Sequence, residues 1–216
     1  MFELQEKMKH LSELTDSVLL FHSATGKDSI MCLDLCKKYI KNVTCVFMYT
    51  VPNLIHVEKY INHSITKYNV KFIQVPHYAV SSYKKTGFLG CEMDEKTPIK
   101  NLNKIVDECK KYTGIEWAVF GFKRSDSMNR NLMMNKLHMN SFNLETKNAY
   151  PICDLSNKQV LQYCEENGLI EPIKYGSGRS QGASPADADF LNWCRKYYHQ
   201  DYQKVISYFP LAATIK

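Results

Sequence analysis

The chain predicts an α/β fold whose parallel sheet is covered by helices on both faces. Three observations predict it. Short apolar, β-branched runs recur along the front of the chain. Amphipathic segments of helical length separate them. The runs are near-continuously apolar rather than alternating, as strands buried on both faces are.

The elements follow in order. "MFELQEKMKHLSEL" carries acids at amphipathic spacing and does not read as a signal peptide. Ser17–His22 reads as the first strand, and Asp28–Lys41 as a helix with Ile30, Met31, Leu33, Leu35 and Ile40 on its apolar side. Asn42–Thr50, "NVTCVFMYT", reads as a second buried strand. Pro52 stands near the start of the amphipathic helix in "PNLIHVEKYINHSITKYN". Val70–Val75 is a third strand closed by Pro76, and Val80–Pro98, which shows no clear period, reads as a mobile loop. "IKNLNKIVDECKKYTG" reads as a helix ended by Gly114, and Glu116–Phe122 as a fourth strand. "SMNRNLMMNKLHM" reads as helical, and "NKQVLQYCEEN" as a helix with Ser156 as N-cap and Gly168 past its end. Lys174–Pro185 is a Gly/Ser-rich loop, and "ADADFLNWCRKYYHQDYQKVISYF" reads as one or two helices.

A length of 216 residues suits one substantial core rather than two. We expect residues 1–150 to form an α/β core and 151–216 a helical extension packed on it, together a single structural domain. No apolar run approaches the ~20 residues of a membrane helix, so no membrane partner and a cytoplasmic location are expected. The net charge of +6 is modest and spread along the chain; it favours anionic partners, which include nucleotides and nucleic acid. The eight cysteines lie scattered in apolar segments without a Cys-x-x-Cys pair. They read as small buried hydrophobes in a reducing compartment rather than zinc or iron–sulfur ligands. Cys32 and Cys36 share a helix face by spacing, but two ligands do not make a metal site.

The chemistry concentrates in "SVLLFHSATGKDSI", where a strand turns into a helix. In open α/β sheets ligands bind beyond the carboxyl ends of the strands. The turn Ser23-Ala24-Thr25-Gly26 lies there, and its amides converge on a helix start, a ready anion site. Gly26 permits close backbone approach. Lys27 supplies positive charge for phosphate oxygens and Ser29 a hydroxyl donor. Asp28 has two uses by type: capping its helix, or holding a magnesium ion that bridges phosphates. The turn is not a Walker A loop, because Phe21 stands where the first glycine belongs and Asp28 follows Lys27; nor is it Gly-x-Gly-x-x-Gly. After the fourth strand, "VFGFKRSDSMNR" offers Lys123, Arg124 and Arg130, with Ser125 and Ser127, as an anion clamp. In "YPICDLSNKQVLQY", Asp154 precedes a helix and reads equally as a group that orients a basic residue or as a loop residue that starts that helix. Arg179 sits among glycines in the late loop.

"SATGKDS" resembles the Ser-Gly-Gly-x-Asp-Ser pyrophosphate loop (PP-loop) of the adenine nucleotide α-hydrolase superfamily. "ATGKDSIMCLDL" is similar to its PAPS reductase-like (phosphoadenosine phosphosulfate reductase) branch. Gly121, Lys123, Asp126, Ser127 and Arg130 match in order that branch's Gly-x-(Arg/Lys)-x-x-(Glu/Asp)-Ser-x-x-Arg segment. "YPICDLSNKQVLQY" is similar to a third segment of the branch. Ala24 departs from the pattern by taking the place of the first serine, with Ser23 one position earlier, and Thr25 replaces the first glycine.

The resemblance implies a Rossmann-like three-layer sandwich with a mostly parallel five-stranded sheet and C-terminal helices. It implies a loop holding the phosphates of ATP or the phosphosulfate of PAPS, with Ser23, Ala24, Thr25, Gly26, Lys27, Ser29, Gly121, Lys123 and Ser127 as binding residues. Arg179 joins them from its own loop "YGSGRSQG", whose glycines leave backbone amides free for an anion; a flexible linker reads that loop equally well. Lys27, Asp28, Arg124 and Arg130 are the expected catalytic residues, with magnesium at Asp28. The first expectation is an ATP pyrophosphatase that adenylylates an unknown acceptor, a nucleic-acid base being suggested by the branch's DNA-modifying relatives. The branch's reductases carry a C-terminal Glu-Cys-Gly-x-His motif. Here the tail "YYHQDYQKVISYFPLAATIK" has no cysteine, so reduction of PAPS would need a displaced nucleophile such as Cys194. A nucleotide-binding module without turnover is the remaining alternative. A second copy of the chain, or another protein, is a candidate partner to complete the site.

Overall fold

The computed structural model describes residues 2–176 and 183–216. Its helices are α1 (Phe2–Leu14), α2 (Lys27–Tyr39), α3 (Ile55–Tyr68), α4 (Tyr78–Thr86), α5 (Leu102–Thr113), α6 (Met128–Met134), α7 (Asn157–Glu166), α8 (Ala188–Tyr197) and α9 (His199–Tyr208). The strands are β1 (Ser17–Phe21), β2 (Asn42–Tyr49), β3 (Lys71–Pro76), β4 (Trp117–Phe120), β5 (Phe142–Asn143) and β6 (Asn148–Ala149).

They form one sheet in the order β3-β2-β1-β4-β6-β5. Five strands run parallel, as the resemblance implied, and β5 adds an antiparallel edge. That edge is new relative to the sequence reading, because strands of two residues leave no period to read.

The pleat of β1 explains the layers. Val18 and Leu20 point to one face and pack with Leu11 of α1, Met31 and Leu35 of α2 and Val160 of α7. Leu19 and Phe21 point to the other, where Ile105, Val106 and Cys109 of α5 cover them. Burying each such side chain contributes roughly 1.5–3 kcal/mol. A third cluster joins Val57 and Ile61 of α3 to Phe190 and Leu191 of α8 and Val205 of α9. No helix among the described residues is long and apolar enough to cross a membrane.

Two readings need correction. The segment read as a loop from Val80 begins inside α4, whose start is capped by His77 Nδ1 accepting from the Ala79 amide at 3.2 Å. Histidine is a poor sequence signal for a cap, so the helix was hidden. In "SMNRNLMMNKLHM" only Met128–Met134 is helical; turns and a bridge to Phe142 follow. The last long segment resolves into two helices, α8 and α9, separated at Tyr198.

The strand order fixes where a ligand can bind. From β1 the chain moves outward to β2 and then β3; it returns through α5 to β4 on the opposite side of β1. The order therefore reverses between β1 and β4. The loops leaving their carboxyl ends diverge there and open a crevice, the switch point where open α/β sheets take ligands.

Candidate functional site at the β1 and β4 carboxyl ends

The first wall of the crevice is the turn after β1. His22 extends the β1–β2 ladder, its N–H donating to Val46 O at 2.9 Å. Ala24 then turns left-handed, with φ 61°, a conformation that an alanine rarely adopts. Its N–H donates to His22 Nδ1 at 2.8 Å. The His22 proton is thereby placed on Nε2, which is buried without a partner. Burial pushes the His22 pKa down to about 3, against the opposing effect of a backbone hydrogen bond, so the ring is neutral.

Gly26 starts α2, and no side chain caps it. The amides of Gly26, Lys27, Asp28 and Ser29 have no hydrogen-bond partner among the described residues. Ser29 Oγ donates to Gly26 O at 3.0 Å. Its oxygen lies 2.8 Å from Ser23 Oγ, so the Ser23 hydroxyl is the donor of that pair. A Cβ on Gly26 would meet Ser23 Oγ at 2.5 Å, so a close approach requires this glycine. Open amides, two hydroxyls and the positive end of a helix dipole face the same place.

The second wall is the turn after β4. Gly121 lies against the first turn of α2, where a Cβ would sit 3.1 Å from the carbonyl carbon of Asp28. Lys123 is 1% exposed, and its ammonium lies 2.5 Å from Asp28 Oδ1. Lys27 Nζ lies 2.8 Å from Asp28 Oδ2. Lys123 also approaches Asp126 Oδ1 at 3.4 Å, while Asp126 Oδ2 accepts from the Lys123 amide at 2.8 Å. Burial alone would raise the Asp126 pKa; the Lys123 amide and the charges of Lys123 and Arg130 outweigh it and hold it low.

The two arginines are anchored beside this cluster. Arg124 Nε pairs with Asp154 Oδ1 at 2.6 Å, and its NH1 donates to Asn135. Asp154 also pairs with Lys7, so it orients two cations. Burial opposes its ionisation, but hydrogen bonds from Lys7 and Cys153 and the charges of Lys7 and Arg124 keep its carboxyl below the usual range. Arg130 pairs with Asp126 at 2.6 Å, and its guanidinium stacks 3.8 Å from the Phe122 ring centroid.

The structure thus brings Ser23, Gly26, Lys27, Asp28, Ser29, Gly121 and Lys123 together. Ala24 and Thr25 form the turn itself. Ser127 is engaged in capping α6, accepting from the Arg130 amide at 3.2 Å. Arg179 lies outside the described residues. His22 was read only as a strand end and Asp126 only as a motif position; their contacts depend on loop geometry that spacing does not encode.

The donor set does not fit a magnesium ion held by this chain. Each Asp28 oxygen already faces an ammonium, and no group of three or more metal-ligating side chains occurs among the described residues. The displaced nucleophile also lacks support. Cys194 is fully buried, and burial, with a smaller effect of Asp201, pushes its thiol up to about 12. Two cavities are lined by none of the loop's own residues. One of about 520 Å³ borders Trp193 and Tyr198, and one of about 400 Å³ lies between Val75, Val80 and Ile105.

An uncapped helix start opposite a lysine-bearing turn, at the switch point of a parallel sheet, defines a nucleotide-binding α/β protein of the PP-loop kind. A family model described as the phosphoadenosine phosphosulfate reductase domain matches residues 18–174, and the chain belongs to that family. No curated protein matches it.

Proposed function

We propose that the chain binds ATP by its phosphates at the start of α2 and transfers the adenylyl group to an acceptor. The observation that carries this reading is the run of unpartnered amides from Gly26 to Ser29 beside Lys27. An acceptor oxygen attacks the α-phosphorus, and the bond from that phosphorus to the α,β-bridging oxygen breaks. Pyrophosphate leaves with the bonding pair. Its growing charge is met by the amides and Lys27, and by the Ser23 and Ser29 hydroxyls once they exchange their present acceptors for phosphate. Asp28, tied to both lysines, holds Lys27 at the loop and fixes the α2 start against β4. Arg124 and Arg130, held by Asp154 and Asp126 on the wall that follows β4, meet the nucleotide's anionic end after exchanging a carboxylate for phosphate. No step is routed through magnesium. The modest positive charge supports a nucleic-acid base as acceptor.

Exchange of labelled pyrophosphate into ATP, in the presence of acceptor, tests the chemistry. No exchange with any nucleic-acid acceptor would sink it. A second reading, PAPS held at the same loop, draws support from the family match. It predicts a rise in melting temperature with PAPS and none with ATP.

A further inference from the structure

A single file of hydrogen bonds runs from the anion loop to the C-terminal helices. Asp201 of α9 is 1% exposed and His56 of α3 is fully buried. Asp201 accepts from the Ile55 amide at 2.6 Å, from the His56 amide at 3.0 Å and from His56 Nδ1 at 2.6 Å. With its proton on Nδ1, His56 presents Nε2 as an acceptor, and Tyr175 O–H donates to it at 2.9 Å. The Tyr175 oxygen is then free to accept from Thr25 Oγ1, 3.4 Å away. A second tie runs along the backbone, where the Ile173 amide donates to Thr25 O at 3.1 Å. Thr25 and Tyr175 are themselves 7% and 8% exposed.

The carboxylate and a neutral His56 ring together set the direction of the protons in this chain. Asp201 is acceptor-only, so His56 Nδ1 donates to it; in the neutral ring that burial favours, Tyr175 and Thr25 then donate in turn towards it. A buried polar chain is weak evidence for stability, since apolar packing of the same shape serves equally well. What it supplies is one fixed orientation, and the residue oriented at its end is Thr25, directly before Gly26.

We infer that Asp201, His56 and Tyr175 are positioning residues for the anion loop. They turn the Thr25 hydroxyl away from the ligand and hold the Thr25–Gly26 peptide so that the amides of Gly26 to Ser29 stay open. Thr25 then serves the site through its backbone and not as a phosphate donor. The affinity arm of the test rests on the nucleotide reading; the amide arm does not.

The experiment compares Tyr175→Phe, Thr25→Val, the double variant and Thr25→Ser. In ligand-free protein, the amide resonances of Gly26 to Ser29 shift in Tyr175→Phe and in Thr25→Val, and return towards wild type in Thr25→Ser. The ATP dissociation constant rises about fivefold in each of the first two, the worth of one net hydrogen bond. The double variant is no worse than the weaker single one. Unmoved loop amides, or single effects that multiply, overturn the inference. Should Tyr175→Phe not fold, the contrast between Thr25→Val and Thr25→Ser reads the same link from the loop end. If wild type fails to bind ATP, the nucleotide reading falls, and the amide shifts still decide the network.

Discussion

Lys123 and Asp28 are 95 positions apart in sequence, yet the Lys123 ammonium meets Asp28 Oδ1 at 2.5 Å. The contact joins the turn after β4 to the first turn of α2, so it closes the crevice at its base. The partners are unequally buried: the Lys123 side chain is 1% exposed and that of Asp28 is 25% exposed.

That asymmetry predicts unequal losses. Asp28→Ala strands a buried ammonium with only Asp126 near it and should cost about 3 kcal/mol. Lys123→Met leaves a carboxylate that water and Lys27 can still serve, and should cost about 1 kcal/mol. Urea unfolding of both variants checks this. Equal losses, or the reverse order, would show that the pair is not held as described.

Gly26→Ala should fold and lose the anion site. The added methyl group would meet Ser23 Oγ at 2.5 Å and displace the hydroxyl pair with Ser29, while φ of −86° is open to alanine. We expect ATP affinity to fall by about tenfold or more with a melting temperature near wild type, measured by calorimetric titration and thermal unfolding. Unchanged affinity would remove the loop from the site.

His22 gives the protein an acid weakness. Its folded pKa of about 3 lies below the unfolded value near 6.5, so the unfolded chain binds a proton that the folded one does not. Stability therefore falls as pH drops from about 6.5 towards 3, by at most ~1.4 kcal/mol per pH unit from this group. Burial lowers the pKa of His56 as well, and it acts in the same direction. His22→Asn keeps an acceptor for the Ala24 amide and removes the titration. Its unfolding free energy should decline less between pH 7 and 4 than that of wild type; parallel curves would contradict this.

The fold was largely legible because β1 to β4 are apolar runs long enough to show their pattern. α7 was legible through Ser156, which caps it as read, accepting from the Gln159 amide while Gln159 returns the bond. The pairing of Asp154 with a basic residue was half legible: the sequence allowed it equally with a loop role, and only the fold brings Arg124 and Lys7 to its carboxylate. What stayed hidden depends on long-range geometry. Nothing in the spacing of Thr25, His56, Tyr175 and Asp201 marks them as neighbours. Nor does sequence show that both oxygens of Asp28 are already engaged by lysines.

Thiol chemistry should be silent. Cys91 is partly exposed and the other seven cysteines are buried. Brief iodoacetamide treatment of the native protein should label Cys91 alone, and Cys194→Ser should leave nucleotide turnover unchanged. Mass-spectrometric labelling of native Cys194, or lost turnover in that variant, would restore it as a nucleophile.

The most direct measurement is an ATP titration followed through the backbone amides of Gly26, Lys27, Asp28 and Ser29. We expect these four to shift together and saturably, and to need about tenfold more ATP to do so in Gly26→Ala. Saturable ATP binding that leaves them unmoved in wild type would show that the start of α2 does not hold the phosphates.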